Sequence, residues 1–77
     1  MSDWNERNGA LEREFSFAGF AEAVAFVNRV AELAEAENHH PDIDVRYSKV
    51  TLRWASHDAG AITERDHELA RRSAELA

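Results

Sequence analysis

The apolar and polar positions follow two different periods along the 77 residues. Near the start the period is two. A turn at Asn8-Gly9, a dipeptide suited to positive φ at both central residues, would pair Arg7 with Ala10 and Trp4 with Arg13. Leu11, Arg13 and Phe15 then share a face with Trp4, while Glu12 and Glu14 point the other way. This predicts an N-terminal hairpin.

From about Ser16 the period lengthens. Phe20, Val24, Val27 and Ala31 recur at steps of four, three and four, and Phe17, Ala23, Val30 and Ala34 widen the stripe. This is the spacing of an amphipathic helix. The helix should end near Asn38, which tolerates the left-handed cap conformation. Pro41 prevents continuation and pushes His40 toward an extended backbone. His39 and His40 therefore sit where a helix stops and a strand begins.

Period two then returns, in Ile43, Val45 and Tyr47 and in Val50, Leu52 and Trp54. A two-residue turn at Ser48-Lys49 would set Tyr47 against Val50, Val45 against Leu52 and Ile43 against Trp54, with all six on one face. After a loop through Ser56-His57-Asp58-Ala59-Gly60, Thr63 and Asp66 have the spacing of a helix N-cap with its reciprocal acidic partner. Ile62, Leu69, Ala70, Ala74 and Leu76 supply the inner stripe of a second helix. The elements predict an α+β fold, a four-stranded antiparallel sheet with both helices packed on one face.

Length and composition narrow the options. Residues 1–77 are expected to form one domain, small enough that self-association would help cover its apolar surface. The chain has no cysteine, which excludes disulfides, thiolate metal ligands and a cysteine nucleophile. The net charge of -6, with nine basic residues dispersed among fifteen acidic ones, disfavours nucleic acid as a partner. No apolar run approaches a membrane span. Met1–Glu6 carries neither a cationic region nor a following apolar stretch, so no secretory signal is read and a cytoplasmic location is expected.

Candidate chemistry centres on the four histidines. His39, His40 and His57 lie at element ends or loops, whereas His67 lies inside the second helix. Imidazoles that take and give protons near neutral pH suit an acid/base site. Spacing alone favours the simpler reading, that short loops collect polar residues. A metal is a weaker reading, because adjacent His39 and His40 diverge and no thiolate is available. Asp66 is accounted for by its cap and by the positive end of the helix dipole, Glu35 by a solvated helix face, and Trp54 by the core.

The order of these residues carries more than their types. Glu35, His39-His40-Pro41, Tyr47, His57 and Asp66, with Phe26–Ala31 before and Gly60–Ala70 after, form a spaced set that resembles the pterin-4a-carbinolamine dehydratases from about Leu11 to Leu76. The resemblance implies the same fold and a hydro-lyase that removes water from a 4a-hydroxytetrahydropterin to give a quinonoid dihydropterin, as in tetrahydrobiopterin recycling. It implies no cofactor and no metal, a pterin as the small-molecule partner, and assembly as a homodimer or homotetramer. It implies catalytic roles for His39, His40, His57 and Asp66, and substrate binding by Glu35, His40, Pro41 and Tyr47. Two departures stand out. Longer members carry a helix before the first strand, and beyond the proline, where some members have tryptophan, this chain has Ile43. The competing expectations are a non-catalytic dimerisation cofactor, as one animal relative is for a homeodomain transcription factor, and a dehydratase-like role in molybdopterin metabolism.

Overall fold

The computed structural model of the chain describes residues 3–56 and 59–77. Its elements run β1 (Asn5–Arg7), β2 (Ala10–Ser16), α1 (Phe20–Glu37), β3 (Asp42–Arg46), β4 (Lys49–Trp54) and α2 (Glu64–Ala74). The four strands form one antiparallel sheet in the order β1-β2-β4-β3. The first hairpin has the predicted register, with Arg7 opposite Ala10. Asn8 and Gly9 turn it with φ of 51° and 76°, the positive values that an Asn-Gly pair accepts at low cost.

Pairing of β2 with β4 sets Leu11 opposite Trp54, Arg13 opposite Leu52 and Phe15 opposite Val50. The inner face of these central strands meets Ala23, Phe26, Val30 and Ala34 of α1 and Leu69 and Ala70 of α2 in one core. Both helices thus cover the same face of the sheet. The opposite face carries Glu12, Glu14, Lys49, Thr51 and Arg53, and there Arg53 donates to Glu12 across the strands.

Two expectations change. The second hairpin turns at Tyr47-Ser48, one residue earlier than the pattern suggests, so Val45 faces Val50 and Ile43 faces Leu52. This two-residue change in register preserves parity, and the apolar residues of β3 and β4 keep their common face. Tyr47 leaves that face. It occupies the turn at φ 54° and is 73% exposed.

The buried stripe of α1 is also rotated from the expected one. Ser16 still pairs with Lys49 in β2, and the Phe17 N–H donates to the Ser48 carbonyl, so the helix begins only at Phe20. Phe20 is 55% exposed, and the ring driven into the core is Phe26, with centroids 4.9 Å from Phe15 and 5.0 Å from Phe17. Phe26→Ala should therefore lower the unfolding free energy by about 3–5 kcal/mol. Phe20→Ala should change it by only about 0.5 kcal/mol. Urea denaturation of the two variants checks this; equal losses would contradict the helix orientation.

Candidate functional site

The site is assembled where the end of α1 meets the start of α2. Asn38 terminates α1 in the left-handed conformation, φ 51° and ψ 43°. Its N–H reaches the Glu35 carbonyl, and the His39 N–H reaches the Ala34 carbonyl at 3.1 Å. This pair of bonds satisfies orphan carbonyls of the last turn and reverses the chain within two residues. His39 is thereby folded back toward the core, while Pro41 leads into β3.

Asp66, in the first turn of α2, is fully buried. Its Oδ2 accepts the Thr63 N–H at 2.9 Å, completing the predicted cap, and the Ser56 hydroxyl at 2.8 Å. The Thr63 hydroxyl lies 2.8 Å from that of Ser56 and 3.3 Å from Oδ2. The other oxygen, Oδ1, is 2.7 Å from His39 Nε2. No buried side-chain polar atom among the described residues lacks a partner.

Burial alone would raise the Asp66 carboxyl. The Thr63 backbone N–H outweighs it together with the hydrogen bonds from His39 and Ser56 and the charge of His39, and the result lies below the usual carboxylate value. The helix dipole acts in the same direction. An ionised carboxylate only accepts hydrogen bonds, so His39 Nε2 carries a proton, and in the neutral ring the lone pair lies at Nδ1. The His39 ring also lies parallel to Trp54, with an interplanar angle of 6° and centroids 5.9 Å apart. Its side chain is only 16% exposed. The arrangement presents one imidazole, oriented from behind, with a single acceptor nitrogen left for proton transfer.

The other predicted residues are placed differently. His40 Nε2 meets Glu35 Oε2 at 2.5 Å in an exposed pair, beside the buried one. Such surface pairs contribute little to stability, so this one bears on orientation more than on folding. Tyr47 stands at the far end of β3 from Pro41, roughly 15–20 Å away at about 3.3 Å per strand residue. The candidate His57 lies outside the described residues. Among the described residues no group of three or more His, Asp or Glu is placed to hold a metal ion.

Sequence reasoning passed over Ser56 and Trp54 as site residues. Ser56 lies ten positions before Asp66, and no periodic rule links them. Trp54 was read as core, which it is; its contact with His39 follows from tertiary packing alone.

The depressed carboxyl has a pH signature. A group whose folded value lies below its unfolded value stabilises fully above the unfolded value, and that contribution is lost as pH falls through the folded one. Asp66→Asn should cost about 1–3 kcal/mol at pH 7, because an amide cannot accept from all the same donors. The gap between the native chain and the variant should begin to narrow below about pH 4, where the unfolded carboxyl takes up its proton while the native one still resists. Urea midpoints measured from neutral to acid pH check this; a constant gap would show that Asp66 is not held ionised.

Comparison with known proteins places these residues in context. Residues 1–76 match the family model described as pterin 4 alpha carbinolamine dehydratase. A protein of Thermomicrobium roseum provisionally named a pterin-4-alpha-carbinolamine dehydratase is 58% identical over 74 residues, covering 96% of this chain and 80% of the relative. A protein of Koribacter versatilis with the same provisional name is 49% identical over 76 residues, covering 99% and 81%. Among solved structures, a transcriptional coactivator/pterin dehydratase from Brucella melitensis superposes with a TM-score of 0.92 at 31% identity, covering 97% of this chain and 82% of that one. A pterin dehydratase-like protein described as a RuBisCO assembly factor in the alpha-carboxysome shares the fold, with a TM-score of 0.79 at 24% identity and coverage of 96% and 86%. With matches that span nearly its whole length, the chain belongs to the pterin-4a-carbinolamine dehydratase family.

Proposed function

We propose that this protein is a hydro-lyase that dehydrates a 4a-hydroxytetrahydropterin to a quinonoid dihydropterin, as tetrahydrobiopterin recycling requires. The single observation that carries the reading is the buried Asp66 holding His39 Nε2 at 2.7 Å in a chain of this family. The reaction is acid/base work throughout. The C–O bond at carbon 4a breaks and the hydroxyl leaves as water after taking a proton. A ring N–H gives up its proton, and the freed electron pair forms the C=N bond of the product. No hydride or covalent intermediate is required.

In this reading His39 exchanges one of the two protons through Nδ1, and His57 exchanges the other. Asp66 orients His39 and stabilises the imidazolium that forms when Nδ1 is protonated. His40, steadied by Glu35, binds and orients the pterin. Pro41 fixes the backbone that carries both histidines. We assign Tyr47 no role in the site of its own chain, since it stands at the opposite end of β3. An adaptor could keep the same pairing as a structural contact, so turnover decides between catalysis and an interaction role alone.

The test is direct. The 4a-carbinolamine is generated with a pterin-dependent hydroxylase, and quinonoid dihydropterin formation is followed by absorbance. The protein should accelerate it, and His39→Gln should lower kcat by about 10²-fold, the lower end of what one positioned acid or base supplies. Dehydration no faster than in buffer would overturn the proposal.

We also infer that the protein works as a homodimer or homotetramer in the cytoplasm. Phe20, Val45 and Tyr47 are large apolar side chains left exposed on a small chain, and self-association would cover such surface. Light scattering should give a mass at least twice the 8.7 kDa of one chain. A monomer at micromolar concentration would contradict this.

A further inference from the structure

One hydrogen bond does not fix an imidazole. With Nε2 bound to Asp66, the His39 ring can still swivel about that axis and carry Nδ1 through an arc. The ring plane needs a second restraint, and the structure holds one in Trp54. Its indole is parallel to the imidazole within 6°, at a centroid distance of 5.9 Å, an offset stack. Trp54 is itself tethered. Its Nε1–H donates to the Ser73 hydroxyl at 3.1 Å, and that hydroxyl donates to the Ala70 carbonyl at 2.9 Å. Trp54 and Ser73 are both fully buried, so this tether is sheltered from competing water.

We propose that Trp54, held by Ser73, is a positioning residue for His39, setting the plane of the imidazole while Asp66 sets its axis. The inference rests on the acid/base role given to His39 above and extends it to two residues that do not touch the substrate. α2 then supplies both restraints, Asp66 from its first turn and Ser73 from its last. The indole does more than block rotation. When Nδ1 takes a proton, the imidazolium lies against the electron-rich face of an aromatic ring, a favourable arrangement at this separation. Small errors in the placement of a proton-transfer group cost rate disproportionately, so a loosened plane should appear in kcat before it appears in binding.

A hydrophobic Trp54 with no influence on His39 would explain its burial equally well, so the test must read the contact itself. A protonated imidazole touching an indole quenches its fluorescence by accepting an electron from the excited ring. Trp4→Phe leaves Trp54 as the sole tryptophan. In that background Trp54 emission should fall as pH is lowered from about 8 to about 5.5, the range in which histidines titrate. The fall should vanish in Trp4→Phe/His39→Gln, which leaves His40 in place, and should shrink at least by about half in Trp4→Phe/Ser73→Ala, where the indole is untethered. In the otherwise native chain, Ser73→Ala should lower kcat for 4a-carbinolamine dehydration roughly three- to tenfold with KM within about twofold. Trp54→Phe should do the same, but Ser73→Ala decides the matter if that variant does not fold. Equal quenching with and without His39, or a Ser73→Ala protein with native quenching and native kcat, would overturn the proposal. If the native chain shows no dehydration at all, the dehydratase reading fails and the fluorescence series alone decides whether Trp54 holds His39.

Discussion

A single buried carboxylate organises this molecule. Asp66 is fully enclosed, and an enclosed charge survives only where hydrogen-bond donors compensate it. Thr63, Ser56 and His39 meet that demand from three directions. Through Thr63 the carboxylate starts α2, through Ser56 it ties that helix to the chain two residues beyond β4, and through His39 it closes the junction between α1 and β3. The contact that gives the site its direction is therefore also a contact that holds the elements together.

This sharing has a physical consequence for the chemistry. A free histidine on a short loop samples many orientations and both tautomers. Here the last turn of α1 points the backbone of His39 inward, the carboxylate selects Nε2 as the protonated nitrogen, and the indole of Trp54 lies along the ring. Nδ1 is left as the one basic nitrogen with a defined direction. The neighbouring pair, His40 with Glu35, has similar atoms but lies exposed, where water competes for both partners. Two adjacent histidines thus acquire different characters from burial alone, and this difference supports giving proton transfer to one and substrate orientation to the other.

Much of this was legible in the chain itself, wherever a local rule operates. Asn8-Gly9 marked its turn, Asn38 its helix end and Thr63 with Asp66 their cap, because each depends on neighbours a few residues apart. The second hairpin was legible only in part. Parity chose the faces correctly, but parity cannot tell a turn at Tyr47-Ser48 from one at Ser48-Lys49, and the observed turn takes an uncommon positive φ at a tyrosine. In α1 the periodicity put Phe20 on the inner stripe and left Phe26 out, and packing against Phe15 and Phe17 reversed that choice. Ser56 and the stack of Trp54 on His39 obey no spacing at all. They exist only once β4 and both helices are packed.

The central claim concerns the state of one ring, which is directly measurable. In ¹⁵N-labelled protein, at a pH high enough for the ring to be neutral, long-range ¹H–¹⁵N correlation distinguishes the two tautomers of His39. The structure predicts the Nε2–H tautomer, with its proton shifted downfield by the hydrogen bond to Asp66, and a lone pair at Nδ1. An Nδ1–H tautomer would place two acceptors face to face at 2.7 Å and would contradict the account.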